Sequence, residues 1–164
     1  MASVLPHKLR KLRPASENEA SILTDLALRS KAFWEYDPEF LQACRDELTI
    51  TPDCIARNVV FVIEEQGRAV GFYSLEKRAE DSVELVHLFV EPDAIGSGCG
   101  KQLLKHAFET AKSLGCEVLM ISSDPNAEPF YEAMGAIRIG ETESTVTSGR
   151  SLPLLRVDLS NLNE

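Results

Sequence analysis

The sequence predicts an α/β protein: a mixed sheet of about seven strands, mostly antiparallel with one parallel crossover, and helices on both faces. Three observations predict it. The run Val83-Glu84-Leu85-Val86-His87-Leu88-Phe89-Val90 is apolar and β-branched and reads as a buried central strand, which Pro92 stops because proline cannot donate to a ladder. Two strand-like runs, 59–64 and 69–75, precede it through short links, so all three are antiparallel neighbours. After it come a glycine turn, a helix and another apolar strand over 117–122, and strand, helix, strand requires a parallel crossover.

Each element has its own signal. Lys8 to Leu12 reads as a short first strand. Ser16 and Glu19 form a Ser-x-x-Glu capping box, and Ala20, Leu23, Leu26, Ala27 and Ser30 follow at helical spacing to about Ala32. Phe33-Trp34-Glu35-Tyr36 interrupts that pattern. Asp37 as N-cap and Pro38 at the first helical position restart it, with Phe40, Leu41, Cys44 and Leu48 as the apolar stripe. Thr49-Ile50-Thr51-Pro52 ends this second helix. Gln66-Gly67 is the tip of a hairpin, and Lys77 to Asp81 reads as a polar turn before the central strand. Leu103, Leu104, Ala107, Phe108, Ala111 and Leu114 share one face of the helix after the glycine turn, and Gly115 closes it. A short helix through Phe130, Tyr131 and Met134 is closed by Gly135. Ala136 to Gly140 is a strand, Glu141 to Gly149 a polar loop, and Leu152 to Leu159 the last strand.

Composition bounds the function. A chain of 164 residues, 44% hydrophobic, supports one globular domain over 1–164 with its own core. No segment approaches the roughly 18 uninterrupted apolar residues of a membrane helix, and Met1 to Pro6 has no apolar block behind a basic start. A cytoplasmic protein without a membrane partner is expected. The net charge of −9, with no basic stripe beyond Lys8, Arg10, Lys11 and Arg13, argues against nucleic acid and tolerates a cationic amine. Cys44, Cys54, Cys99 and Cys116 form no C-x-x-C pair, and His7, His87 and His106 are scattered. Reduced thiols and no metal are therefore expected.

The chemistry-bearing stretch is Asp93-Ala94-Ile95-Gly96-Ser97-Gly98-Cys99-Gly100-Lys101. A strand, a glycine turn and a helix N-terminus together aim backbone N–H groups at one spot, where the helix dipole favours an anion such as phosphate. A nucleotide P-loop is excluded because three residues, not four, separate Gly96 from Gly100, and Gln102 stands where a hydroxyl should follow Lys101. A dinucleotide fingerprint is excluded because Lys101 stands where the third glycine belongs.

The run resembles the acetyl-CoA loop of the GCN5-related N-acetyltransferases (GNAT family). There a strand ending Val-x-Pro leads into Gln or Arg, two residues, Gly, one residue, Gly or Ala. The pattern falls on Ile95-Gly96-Ser97-Gly98-Cys99-Gly100, with Ile95 in place of a long polar side chain. The family's second motif is similar to Asp124-Pro125-Asn126-Ala127-Glu128-Pro129-Phe130-Tyr131-Glu132-Ala133-Met134-Gly135. Ala127, Phe130, Tyr131 and Gly135 match, and Asp124 replaces an asparagine. The order of elements agrees over nearly the whole chain.

The resemblance implies an acetyl-CoA-dependent N-acetyltransferase, with direct transfer to an amine in a ternary complex and no metal. It implies a pyrophosphate at residues 96–101, with Ile95 beside it in the cofactor-binding loop and Lys101 near enough to screen charge. Pantetheine would lie in a gap where two strands splay, against the backbone of Leu88, Phe89 and Val90. Asp124 or Asn126 would contact that arm; helix capping is the alternative role for both. Tyr131 would protonate or hydrogen-bond the departing thiolate, the alternative being a tyrosine that closes the core. Glu84 is the candidate base if desolvated; otherwise it pairs with Lys77 or Arg78. His87 competes, although strand alternation sends it to the opposite face from Glu84 unless a bulge intervenes. Arg29 to Tyr36 resembles a segment of one bacterial branch of the family. Trp34 and Tyr36 are the expected wall of the acceptor site, with Glu35 or Asp37 receiving a cation; packing of the helix junction is the other reading. The partner is a small-molecule or peptide amine, and Leu152-Pro153-Leu154-Leu155 is the candidate surface for a homodimer. The rival from another class is a non-catalytic acyl-CoA-binding sensor or interaction domain.

Overall fold

A computed structural model describes residues 9–34, 36–144 and 150–162. Seven strands form one sheet in the order β1-β2-β3-β4-β5-β7-β6. They are β1 (Arg10–Pro14), β2 (Val59–Glu65), β3 (Arg68–Ala79), β4 (Ser82–Val90), β5 (Val118–Ser122), β6 (Ile137–Glu143) and β7 (Ser151–Asp158). Among the described residues only β4 and β5 pair parallel; the other neighbours are antiparallel. Three helices, α1 (Ala20–Ala32), α2 (Pro38–Leu48) and α3 (Pro52–Arg57), cover one face, where Leu23, Leu26, Leu48 and Ile55 pack on Val60, Val62 and Phe72. On the other face α4 (Cys99–Ser113) and α5 (Glu128–Ala133) pack Leu103, Leu104, Phe108 and Tyr131 against Tyr73, Leu85, Leu119 and Leu155.

The local chemistry works as expected at several ends. Glu19 Oε1 accepts from Ser16 N at 2.9 Å, completing the capping box at the head of α1. Asp37 caps α2, accepting from Glu39 N at 3.1 Å. Gln66 and Gly67 hold positive φ of 54° and 79° in the β2–β3 turn. The short helix α3 is an addition: Thr51 accepts from Cys54 N at 3.0 Å with Pro52 at the first helical position, so the segment expected only to end α2 also starts a helix. Lys77 to Ala79 continue β3, and the turn into β4 is confined to Glu80 and Asp81.

Two irregularities position the site. Leu75 faces Leu85 and Ser74 faces His87, so Val86 is an extra residue in β4, a bulge. The parity of β4 changes there: Val83, Leu85, Leu88 and Val90 turn to the α4 side. The second is a splay. β4 and β5 pair only over Ser82–Glu84 with Val118–Met120. Beyond Glu84 the strands part, and Leu85 to Val90 have no strand on that side.

The run Leu152-Pro153-Leu154-Leu155 is not at an edge of the sheet, and Leu152 and Leu154 stay half-buried. β7 is inserted between β5 and β6, and Pro153 and Leu155 are buried there, so these residues pair within the sheet. The outer edge is β6, which exposes Ile137 and Ile139.

Candidate acetyl-CoA and acceptor site

Two cavities lie on either side of the splay. The first, about 560 Å³, is walled by Leu88 and Val90, by loop residues 95–101 in part, by Ala127, Phe130 and Tyr131, and by Trp34 of the α1 end. The second, about 470 Å³, lies on the face covered by α1 and α2 and includes Lys31, Phe40, Glu47, Glu84, His87 and Arg150. A space of about 140 Å³ joins them, touching Trp34, Leu88 and Tyr131 of the first and Lys31, Phe89 and Asp124 of the second. A ligand in each could therefore meet at the point where β4 and β5 separate.

The glycine turn starts where β4 stops. Glu91 N donates to Val70 O at 2.8 Å, Pro92–Ala94 make one 3-10 turn, and Gly96 and Gly98 take φ of 85° and 91° before α4 begins at Cys99. Both are left-handed values that glycine alone adopts without strain. A Cβ at Gly96 would meet nothing within 4 Å, so the turn has an open side. The amides of Cys99, Gly100 and Lys101 have no intrahelical acceptor by helix geometry, and none has another backbone acceptor among the described residues. These donors, the helix dipole and Lys101 in the wall fit a pyrophosphate. Arg10 braces the turn from behind, its Nη1 donating to Ser97 O at 3.1 Å and to Gln102 Oε1 at 2.7 Å.

The expected loop residues divide by what they present. Ile95 lines the first cavity with an apolar side chain. Ser97 turns its hydroxyl inward to Ala94 O at 2.5 Å, and Cys99 is fully buried in the core beneath the turn. Those two offer a ligand only their backbone. Leu88 and Val90 face the first cavity, whereas Phe89 faces the second.

Tyr131 lies at the junction. It is buried, its ring centre lies 5.2 Å from that of Phe130 with the planes tilted, and its hydroxyl has no hydrogen-bond partner among the described residues. Burial, and after it the charge of Asp124, push its phenol far up, so it stays protonated at neutral pH.

Asp124 and Asn126 do not cap α5, whose N-cap is Ala127. Asp124 is a charge hub. Its carboxylate accepts from Lys31 Nζ, from Tyr36 Oη at 2.8 Å and from Asn126 N at 2.8 Å. Burial would push this carboxyl up, but the Lys31 ammonium and the other donors outweigh it and hold it below its ordinary value. Asn126 lines the first cavity and donates its Nδ2 to Tyr36 Oη at 2.9 Å.

Trp34 and Tyr36 are not a common acceptor wall. Trp34 turns to the first cavity and the junction. Tyr36 is committed to Asp124 and Asn126, with its ring 4.7 Å from Phe40 and burial pushing its phenol up to about 12. The second cavity is lined instead by Phe40, Glu47 and Arg150, whose guanidinium carbon lies 4.6 Å from the Phe40 ring centre. Phe40 and Glu47 carry only the ordinary pattern of an amphipathic helix, and nothing in the sequence marks Arg150. Asp37 is taken by its capping role, and Glu35 lies outside the described residues.

Glu84 is half-buried and committed to an ion pair. It accepts from Arg78 Nη2 at 2.5 Å and from Arg78 Nε at 2.7 Å, the pairing that was its alternative reading. The Val86 bulge brings His87 to the same face, and both line the second cavity. His87 is a spent base, however. Its Nε2 lies 3.1 Å from Glu47 O, which can only accept, so Nε2 carries the proton and Nδ1 accepts from Ser74 Oγ at 2.7 Å. Burial pushes its pKa down, and it is neutral.

A family model described as the acetyltransferase (GNAT) family matches residues 26–136. The chain belongs to this family. Among curated relatives it is 33% identical over 95 residues to the peptidyl-lysine N-acetyltransferase YjaB of Salmonella typhimurium, covering 58% of this chain and 60% of that protein. It is 34% identical over 84 residues to the glucosamine 6-phosphate N-acetyltransferase of Trypanosoma brucei brucei, covering 46% and 56%. The matches thus span less than two thirds of either relative. Among solved structures, a GCN5-related N-acetyltransferase from Rhodopseudomonas palustris superposes with TM-score 0.79 at 20% identity, covering 95% of this chain and 99% of that one. The PaiA N-acetyltransferase of Thermoplasma acidophilum, in complex with coenzyme A, gives 0.77 at 18% identity, covering 92% and 99%. At these identities the likeness is one of fold. In this GNAT chain β4 and β5 splay apart, with the glycine turn at one end and Tyr131 at the junction. No group of three or more His, Cys, Asp or Glu that could hold a metal occurs among the described residues, and no helix there is long and apolar enough to cross a membrane.

Proposed function

We propose that this GNAT chain moves the acetyl group of acetyl-CoA directly to an amine, in a ternary complex assembled across the β4–β5 splay. The observation that carries the reading is the unpartnered, buried hydroxyl of Tyr131, placed where the cavity ending in the glycine turn meets the cavity on the opposite face. A phenol held protonated there, without a competing acceptor, is poised to donate to a leaving thiolate.

The chain's residues divide the work. Amides 99–101 and Lys101 hold the pyrophosphate. The free edge of β4 from Leu85 to Val90 presents backbone groups along which an amide-containing arm can lie, as an added strand would. Trp34, Leu88 and Ala127 exclude water around the thioester. The amine enters from the side of Phe40 and Arg150. Small amines and lysine side chains both fit this description. The cytoplasm, where acetyl-CoA and reduced thiols coexist, is the compartment consistent with four free cysteines.

The test pairs two measurements on the whole chain: calorimetric titration with acetyl-CoA, and release of free CoA thiol in the presence of a panel of primary amines. Saturable binding with amine-dependent release is the expected result. Binding without release for any amine, including lysine-containing peptides, would establish the acyl-CoA sensor in place of the enzyme.

A further inference from the structure

An amine arrives at neutral pH mostly as an ammonium ion and must lose a proton before it can attack. Building on the acetyltransfer reading, we infer that Glu47, near the C-terminal end of α2, is the group that takes this proton.

The inference rests on which carboxylates of the acceptor cavity remain uncommitted. Glu84 and Glu76 are both paired with Arg78, at 2.5 and 2.9 Å. Asp124 is held by Lys31, Tyr36 and Asn126. His87 has both ring nitrogens engaged. Glu143 ends the edge strand β6 and is exposed, as Glu47 also is, but it is not among the charges that act on Cys44 in the cavity wall. Glu47 has no ion-pair or side-chain hydrogen-bond partner among the described residues, and it lines the cavity.

Its surroundings suit the task. Lys31, Glu47, Asp124 and Arg150 all act electrostatically on the buried Cys44 thiol, so these charges are gathered around one spot in the cavity. Asp124 belongs also to the junction that Tyr131 lines. The backbone of Glu47 is anchored by His87, which fixes the last turn of α2 against the bulge in β4. The titratable groups that line the same cavity as Glu47 are Lys31 from α1, Cys44 from its own helix, Glu76 from β3, Glu84 and His87 from β4, Asp124 after β5, Glu143 from β6 and Arg150 before β7. Cys54 from α3 completes the set. Burial raises the Glu47 carboxyl above its ordinary value of 4.5, with the Lys31 charge opposing, which brings it nearer the range where a carboxylate serves as base.

The protons balance. The Glu47 carboxylate takes one from the ammonium, leaving a neutral amine whose lone pair forms the new bond to the thioester carbonyl carbon. The carbon–sulfur bond breaks, and sulfur takes the Tyr131 proton. The amine nitrogen gives up its second proton, which restores the phenol through solvent. Glu47 releases its proton to water, so one proton leaves per acetyl group transferred.

The experiment is the pH dependence of kcat/KM for wild type and Glu47→Gln, with putrescine, phenethylamine and a lysine-containing peptide as acceptors. Acetyl-CoA affinity and the thermal melt are measured alongside. The expected result is a fall of about two to four decades at neutral pH, with the acidic limb assigned to the carboxyl lost and activity recovering as the free amine itself becomes abundant. Acetyl-CoA affinity should stay unchanged. A variant that keeps the wild-type rate and acidic limb overturns the assignment and leaves acetyl transfer intact. So does a rise in KM alone, which would make Glu47 a binding residue, or the same loss appearing in Glu143→Gln instead. A wild-type chain that binds acetyl-CoA but releases no CoA with any acceptor overturns both readings.

Discussion

Replacing Tyr131 with phenylalanine separates chemistry from packing because of what the hydroxyl does not do. It is buried and makes no hydrogen bond among the described residues. Removing it sacrifices no internal bond, and it relieves a desolvated hydroxyl whose cost is about 1–3 kcal/mol. The ring, its 5.2 Å contact with Phe130 and its place beside α4 are retained. Stability should therefore hold or rise. For a chain of this length each kcal/mol moves Tm by roughly 2–4 °C, so the variant should melt within a degree of wild type or several degrees higher. Turnover should move the other way. If the phenol donates to the leaving thiolate, its contribution arises in the transition state and hardly at all in the ground state. The loss in kcat should be about two to four decades, with acetyl-CoA affinity little changed. The assays are a circular-dichroism melt, calorimetric titration with acetyl-CoA, and CoA-thiol release with the best acceptor. A kcat within twofold of wild type would remove Tyr131 from the mechanism. A loss confined to acetyl-CoA affinity would place the hydroxyl on the cofactor's binding surface instead.

Other expectations follow from the same geometry. Gly98→Glu forces a side chain onto a residue with φ of 91° at the head of α4 and places a negative charge at the anion cradle, so acetyl-CoA binding should be lost while the circular-dichroism spectrum persists; normal binding would refute the loop assignment. Arg29 donates to both oxygens of Glu91, at 3.0 and 2.5 Å, and Arg29→Ala leaves a carboxylate only 8% exposed without its partner. Because the arginine end is half exposed and water can replace it, the cost should be about 1–3 kcal/mol, read as a lower Tm; an unchanged melt would show the pair to be idle. Asp124 has a depressed folded pKa, so its stabilising contribution is complete above its ordinary value of 3.8 and disappears as pH falls through the folded value. Asp124→Asn should flatten the acid limb of the stability curve, and an unaltered acid limb would contradict the hub assigned to it.

Much of the fold was legible because it rests on local chemistry. Ser16 with Glu19, and Asp37 with Pro38, mark helix starts through backbone donors that need a nearby acceptor, and the structure keeps both. The apolar run of β4, the stop at Pro92 and the glycines before α4 are equally local, so the turn with its free amides could be read without knowing what surrounds it. The parallel crossover followed from strand, helix, strand. The short α3 was less visible: Thr51-Pro52 repeats the cap signal, but six residues with only Ile55 buried are too few to show a period.

The second cavity was decided by tertiary structure, because its residues come from eight separate elements and their roles depend on partners. One extra residue, Val86, reverses the alternation of β4 and brings His87 to the face of Glu84, a change no two-residue period can show. Arg78 then claims Glu84, and Ser74 and the Glu47 carbonyl claim His87. Asp124 gathers Lys31 and Tyr36, which are 93 and 88 residues away in sequence. Insertion of β7 between β5 and β6 occupies both backbone edges of the apolar run 152–155 and buries Pro153 and Leu155 of it. By itself the sequence determined the strand, the glycine turn with its free amides and the tyrosine that follows them, since backbone geometry and local caps act within a few residues. Which carboxylate is free to take a proton was decided only by folding, because an ion pair exists only once the chain brings its two ends together.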